Sequence, residues 1–314
     1  MLRALGLGDL LTGVPAMRAL ARALPGHDVT LAAPLALEPL VRLAGVADRL
    51  LPTSGLEQPS WTGRPPELAV DLHGRGPQSH RLLAALQPGR LVAFGCPEAG
   101  HDGPPWDDGE HEVRRWQRLV STELGGEPAV DDLLLDVPRE APPVRGAVVV
   151  HPGAAYPSRR WPPERFAEVA RRAAGTGRPV VVTGGASEAE LAERVADLAG
   201  LPDGSVLAGR TDLATLAALV AAADLVVCGD TGVAHLASAY RTPSVVLFGP
   251  VSPARWGPPA DGPHTVLWKG DGTGDPWGDE VDPALLALDV DEVVAAAEVR
   301  LAAPAAGRTT PASA

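Results

Sequence analysis

The sequence predicts an α/β protein made of two parallel-sheet units in succession, and three observations predict it. The chain has 314 residues, beyond the ~250 at which a single hydrophobic core stops growing. Short Val/Leu/Ala runs alternate with amphipathic helical patterns along nearly all of it, which argues parallel strands joined by crossover helices. A stretch with four prolines, from Pro128 to Gly146, separates two series of this alternation. The units are therefore expected over residues 1–140 and 141–303, with residues 304–314 as a disordered tail.

In the first series the apolar run Leu2–Leu5 reads as a strand stopped by Gly6. Leu10–Leu24 has helical spacing and reads as the first helix. Strands follow at Val29–Ala33, Arg49–Leu51, Leu68–Leu72 and Leu91–Phe94, with helices at Leu35–Leu43 and Gln78–Leu86. Gly95–Gly109, rich in Gly, Pro and Asp, reads as a surface loop before an amphipathic run, Val113–Leu124. The second series has strands at Ala147–Val150, Val180–Thr183, Ser205–Leu207, Asp224–Cys228 and Ser244–Phe248. Helices at Pro163–Ala174, Glu188–Leu198, Leu213–Ala222 and Gly232–Ala239 lie between them, and a last helix spans about Asp291–Leu301.

Composition excludes several classes of protein. A net charge of −12 speaks against a nucleic-acid partner, which needs a basic face. Two cysteines, Cys96 and Cys228, are too few for a disulfide framework and lack metal-site spacing. The chain has no Asn, no Ile and a single Lys, Lys269, a bias that makes Arg abundance uninformative about function. Asp9 interrupts the apolar run where a signal core would lie, and the stretch Leu213–Ala223 is far short of the ~20 residues of a membrane span. A soluble, cytoplasmic protein is expected, with room for peripheral contact at the inner membrane surface.

Four strand–turn–helix elements carry chemistry. In Gly6-Leu7-Gly8-Asp9 the glycines permit a tight turn, but Leu11 stands where a dinucleotide fingerprint wants Gly or Ala. The next strand also ends without a carboxylate. The turn then either holds Asp9 at the carboxyl edge of the sheet, where ligands bind, or uses it as a helix N-cap. In Gly229-Asp230-Thr231-Gly232-Val233-Ala234-His235 a buried strand runs into a helix of small residues. The free N–H groups of that helix start suit a phosphate, Gly232 allows close approach, and Thr231 adds a hydroxyl. His235 is open to a ligand role or to burial as a core histidine. Arg159 and Arg160, after the turn His151-Pro152-Gly153, are placed either to clamp phosphate or as solvated surface arginines. Gly184 and Gly185 give room before Glu188, which can hold ribose hydroxyls or act as a first-turn helix acid.

No Gly-x-x-x-x-Gly-Lys-[Ser/Thr] is present. Asp289-Val290-Asp291 has a metal-holding spacing but immediately precedes a helix and reads as an N-cap. Glu110-His111-Glu112 lacks a second ligand set and reads as a helix start. No metal ligands and no cofactor are assigned.

These elements resemble glycosyltransferase family 9, the ADP-heptose:lipopolysaccharide heptosyltransferases. The resemblance rests on Gly6-Leu7-Gly8-Asp9 with Pro15, Arg159-Arg160-Trp161-Pro162, Gly184-Gly185 with Glu188, Asp230-Thr231-Gly232-Val233-Ala234-His235, and Phe248-Gly249-Pro250 with Pro253. It implies a GT-B fold: two Rossmann-like domains whose parallel sheets face each other across a cleft, acceptor on the N-terminal side and nucleotide-sugar donor on the C-terminal side. It implies an inverting, metal-independent glycosyltransferase with a nucleotide-diphosphate sugar donor, ADP-heptose or similar, and a glycan or lipid-linked acceptor.

By that resemblance Asp9 is the catalytic base. Arg159 stands where the family usually has Lys, keeping the charge with a different geometry. Thr231, Gly232 and Val233 match the diphosphate-binding turn, Asp230 and His235 match positions near the donor, and Glu188 matches a ribose-binding acid. Two rival readings remain at this stage: another GT-B sugar-nucleotide enzyme such as an epimerase or hydrolase, and a non-catalytic nucleotide-sugar-binding protein.

Overall fold

The computed structural model describes residues 1–127, 129 and 132–303, and the chain divides into two units, Met1–Leu135 and Asp136–Ala314. The expected tail, residues 304–314, lies outside the described residues.

In the first unit α1 (Leu7–Ala23) leads to β1 (Thr30–Ala33), α2 (Glu38–Ala44), β2 (Arg49–Pro52), β3 (Leu68–Val70), α3 (Gln78–Ala84), β4 (Arg90–Val92) and α4 (Glu112–Leu124). β1 pairs in parallel with β2, and β3 with β4. Leu2 joins the two pairs, bridging Ala32 on one side and Asp71 on the other. Numbered along the chain with Leu2 first, the strand order is 3-2-1-4-5.

The strand expected over Leu2–Leu5 is thus a single bridging residue. The Ala4 amide bonds the His73 ring at 3.2 Å instead of a main-chain carbonyl, which ends the ladder early. The first helix starts three residues sooner than expected. Gly6 takes an extended N-cap conformation, and Asp9 at the third helical position accepts its amide at 3.2 Å.

Arg3, beside this strand, has no exposed surface. It donates to the main-chain oxygens of Asp9 and Leu72, to Thr12 Oγ1 at 3.0 Å and to Glu112 Oε1 at 3.3 Å. Its guanidinium also lies 4.8 Å from the ring centre of Trp116 on α4. Trp116 in turn donates to Glu112 Oε1 at 2.7 Å. One buried cation therefore ties the first strand, α1, the segment after β3, and α4 together.

The second unit comprises β5 (Val148–His151), α5 (Pro163–Ala174), β6 (Val180–Val182), α6 (Ala189–Ala199), α7 (Leu213–Ala222), β7 (Leu225–Gly229), α8 (Gly232–Ala239), β8 (Ser244–Phe248), α9 (Pro253–Trp256), β9 (His264–Trp268), α10 (Pro283–Leu286) and α11 (Val290–Ala302). Its sheet is parallel throughout, in the order β6-β5-β7-β8-β9. The strand expected at Ser205–Leu207 reduces to a bridge from Val206 to Val182, with main-chain bonds of 2.8 Å on either side. Counting Val206 as the third strand, the order is 3-2-1-4-5-6, that of a doubly wound nucleotide-binding sheet.

β5, β7 and β8 are buried at every residue, so they read in sequence as unbroken apolar runs rather than alternating ones. Sequence reasoning missed β9. It is an edge strand, half-buried along its whole length, and lacks that apolar signature. Trp161 and Phe166 fill the core beneath α5, their rings edge to face at 5.1 Å.

Candidate active site

Open parallel sheets bind ligands outside the carboxyl ends of their strands, where the strand order reverses. In the second unit that point lies between β5 and β7. In the first it lies between the Leu2 strand and β3.

In the second unit, β7 ends at Gly229 and Asp230 leads into α8. Thr231 is the N-cap, its backbone extended and its Oγ1 accepting the Val233 amide at 3.3 Å. A hydroxyl that accepts one bond can still donate its proton outward. Ala234 N–H goes to the Thr231 carbonyl at 3.0 Å, while the Gly232 amide has no acceptor among the described residues. That leaves a donor at a positive helix end. His235 is half-buried, its ring 5.9 Å from that of Trp256 on α9.

The two arginines after β5 part company. Arg159 Nη1 lies 3.8 Å from Asp230 Oδ2, and its Nε donates to the Pro276 carbonyl at 3.3 Å. Arg160 Nε donates to the Ala154 carbonyl at 2.9 Å. Only Arg159 is therefore drawn to the start of α8. A side chain at Gly229 would put its Cβ 3.2 Å from the Arg159 carbonyl, so the glycine lets the two turns pack closely. Ser158 Oγ, buried beside them, has no hydrogen-bond partner among the described residues.

Glu188 closes the other flank. Its Oε2 accepts the Gly185 amide at 2.7 Å, so the first-turn role holds. Its carboxylate also lies over Gly153 at the end of β5, so closely that a Cβ there would overlap it. A Cβ at Gly184 would stand 3.0 Å from that of Glu188. Sequence reasoning assigned no role to His151, which sits under this group. Its Nδ1 is 3.0 Å from Thr183 Oγ1. Burial pushes its pKa below the usual value, with the Glu188 charge opposing. A histidine closing a buried strand at a switch point was the available signal.

In the first unit Asp9 occupies the corresponding edge, half-buried. It is the third helical residue, not the N-cap. Burial raises its pKa; the Arg3 charge opposes this and Glu112 adds to it. The result is a carboxylate more basic than an exposed one. Beneath the same edge the buried Asp71 and His80 pair at 2.9 Å. Burial works against the His80 charge, but the bond to Asp71, the Phe94 carbonyl and the Asp71 charge together lift its pKa.

Both acidic decoys are helix caps. Asp289 Oδ1 accepts the Asp291 amide at 2.9 Å and Glu292 returns the bond to the Asp289 amide at 3.0 Å, while Asp291 pairs with Arg172 at 2.8 Å. His111 caps α4 by accepting from the Val113 amide at 3.3 Å. Among the described residues no group of three or more His, Cys, Asp or Glu is arranged to hold a metal, and no helix is long and apolar enough to cross a membrane.

The chain is 36% identical to the Pseudomonas aeruginosa lipopolysaccharide heptosyltransferase 1 over 151 residues, 46% of this chain and 41% of that one. It is 37% identical to the Salmonella typhimurium lipopolysaccharide heptosyltransferase 2 over 108 residues, 32% of this chain and 30% of that one. The matches thus span less than half the length of these relatives. Among solved structures, the Escherichia coli ADP-heptose lipopolysaccharide heptosyltransferase II superposes with a TM-score of 0.75 at 19% identity, covering 96% of this chain and 97% of that one. The Escherichia coli heptosyltransferase WaaC with ADP gives 0.69 at 20% identity, covering 95% and 98%. The likeness extends over both units, and the expected GT-B architecture is the fold the chain shares with these proteins. The family model for glycosyltransferase family 9 (heptosyltransferase) matches residues 105–271, more than half of the sequence, and the chain belongs to that family.

Proposed function

We propose that the protein is an inverting, metal-independent glycosyltransferase. It moves heptose or a related sugar from a nucleoside-diphosphate sugar, ADP-heptose or similar, to a hydroxyl of a glycan or lipid-linked acceptor. The observation that carries this reading is the pairing of Arg159 with the Asp230-Thr231-Gly232 turn at the switch point of the second sheet. The relatives' names, and the ADP of the WaaC structure, support the choice of donor.

Negative charge grows on the leaving diphosphate as the glycosidic bond breaks. The Arg159 guanidinium, the Gly232 amide and the Thr231 hydroxyl are donors suited to hold it, the electrostatic work that dominates such transfers. Glu188 accepts hydroxyls of the ribose. A sugar hydroxyl attacks poorly until its proton leaves, and Asp9, made more basic by burial, takes that proton. One base and one displacement give inversion at the transferred carbon. Asp9 lies ahead of the segment matched by the family model, so its role rests on its own geometry.

A non-catalytic binder would have no use for a raised-pKa carboxylate at this edge, and this favours an enzyme; the relatives' names favour the transferase among enzymes. Acceptors of the lipopolysaccharide core type place the work at the cytoplasmic face of the membrane. The test is transfer from ADP-heptose to heptose-deficient lipopolysaccharide, with and without chelator, and assignment of the product anomer by NMR. Retention of configuration, or activity that EDTA abolishes and Mg²⁺ restores, would overturn the corresponding part of the reading.

A further inference from the structure

We propose that His73 is an acceptor-positioning residue, donating from Nε2 to the sugar oxygen next to the hydroxyl that Asp9 deprotonates. This rests on the glycosyltransferase reading and deepens it on the acceptor side.

The geometry leaves the ring one useful face. Ala4 N–H donates to His73 Nδ1 at 3.2 Å, so the neutral ring must carry its proton on Nε2. The His73 amide donates to Asp71 Oδ1 at 2.9 Å, and Asp71 Oδ2 lies 2.9 Å from His80 Nδ1. Ring and backbone are thus pinned by separate groups, an orientation a solvated histidine would lack. The ring is half-buried, and its Nε2–H has no acceptor among the described residues. Burial holds the pKa below the ordinary value; Asp71 opposes this, Arg3 reinforces it and Asp9 opposes it. Protonation would also cost the ring its bond from Ala4. The neutral form, with a fixed donor, is the one present near neutral pH.

His73 Nδ1 is held by the Ala4 amide and Asp9 Oδ2 by the Gly6 amide, each at 3.2 Å, so both side chains are anchored on the same three-residue segment, Ala4–Gly6, and the Asp9 charge acts on the ring. The edge between the Leu2 strand and β3 therefore presents a proton acceptor and a fixed proton donor side by side. That pair complements two adjacent sugar oxygens, the first giving its proton to Asp9 and the second accepting from His73. A donor on the attacking oxygen itself would hold back the lone pair that must attack, so the neighbouring oxygen is the fitting partner. The chemical class implied is a vicinal diol on the acceptor glycan.

The test uses ADP-heptose with heptose-deficient lipopolysaccharide, and calorimetry with ADP as the check that each variant is folded and holds donor. His73→Phe keeps the ring and removes the donor. It should raise the acceptor KM by roughly tenfold, the size of one lost hydrogen bond, and leave ADP affinity unchanged. His73→Gln, whose amide can donate from near the Nε2 position, should return KM to within about threefold of wild type. An unchanged acceptor KM in His73→Phe overturns the assignment. Equal weakening of ADP binding does the same, because it marks a structural role. Should His73→Phe fail to fold, an acceptor KM raised more than tenfold in a folded His73→Gln overturns it. If the wild type binds ADP but transfers nothing, the parent reading fails and the assignment falls with it; if the wild type and His73→Phe transfer alike, only the assignment fails.

Discussion

Arg159 and Asp230 approach to 3.8 Å where the turn after β5 meets the end of β7. The carboxylate is buried and the guanidinium half-buried, so Asp230 holds Arg159 at the start of α8. Under the proposed function, a diphosphate would meet there a cation already in position.

Arg159→Ala is expected to weaken ADP binding by about 1.5–3 kcal/mol, the range for a charge-assisted hydrogen bond. Gly232→Val should weaken it further, because a branched side chain would obstruct the approach of phosphate to the amide. Adenosine, lacking phosphates, should bind both variants as it binds the wild type. Calorimetry with ADP and adenosine reads the difference directly. ADP affinity unchanged in both variants would move the donor site elsewhere.

Asp9→Asn should retain ADP binding and lower turnover by at least ~10²-fold, as loss of a general base does. Because burial raises the Asp9 pKa, the acid limb of the pH–rate profile should lie above the range of an exposed aspartate. The stability effect has the opposite sign. A carboxyl whose folded pKa is raised binds more protons when folded, so stability falls as pH rises through that window. Urea unfolding at pH 7 should find Asp9→Asn more stable than wild type. Asn can still accept the Gly6 amide, so the helix start is preserved.

Arg3→Ala should leave ADP affinity alone and destabilise the first unit by about 3 kcal/mol or more, the cost of stripping one partner from a buried ion pair. Nothing in the sequence distinguishes Arg3 from the other 25 arginines, and reading along the chain it passes for an ordinary basic residue beside the first strand. Its burial depends on Glu112, which is 109 residues away.

That case marks a wider boundary of what the sequence discloses. The parallel α/β pattern was legible because β5, β7 and β8 are buried on both faces and carry apolar residues throughout except at their ends, His151 on β5 and Ser244 on β8. The Asp230-Thr231-Gly232 turn was legible because a helix cap after a strand is a local motif. β9 was not, being a half-buried edge. The separate directions of Arg159 and Arg160 depend on Asp230 and Ala154, contacts made by folding and invisible in adjacency. Glu188 over Gly153 is likewise a long-range fact.

His264 on β9 supplies a pH dependence of the second kind. Burial, with Arg300 and Arg241 nearby, pushes its pKa down to about 4, and its Nδ1 lies 2.8 Å from Ser244 Oγ. A histidine with a lowered folded pKa binds fewer protons when folded than when unfolded. Its contribution is present above the unfolded value near 6.5 and is lost as pH falls toward 4, on the order of 3 kcal/mol in all. Denaturant midpoints between pH 7 and pH 4 should fall more steeply in wild type than in His264→Gln.

The strand around Leu2 has a mechanical consequence. Leu2 N–H reaches the Val70 carbonyl at 3.0 Å, Arg3 N–H reaches Ala32 at 2.9 Å, and Leu72 N–H returns to Leu2 at 3.1 Å. Among the described residues, this short length of chain is what stitches the β1–β2 pair to the β3–β4 pair. It acts as the spine of a book whose pages are the two strand pairs. Asp9, on α1, is tied to the spine through its main-chain oxygen, which accepts from Arg3, and His73 follows one page. Amide exchange at Leu2, Arg3 and Leu72 would then time the opening of that spine, and with it the intervals in which the Asp9 carboxyl and the His73 ring lose their registration.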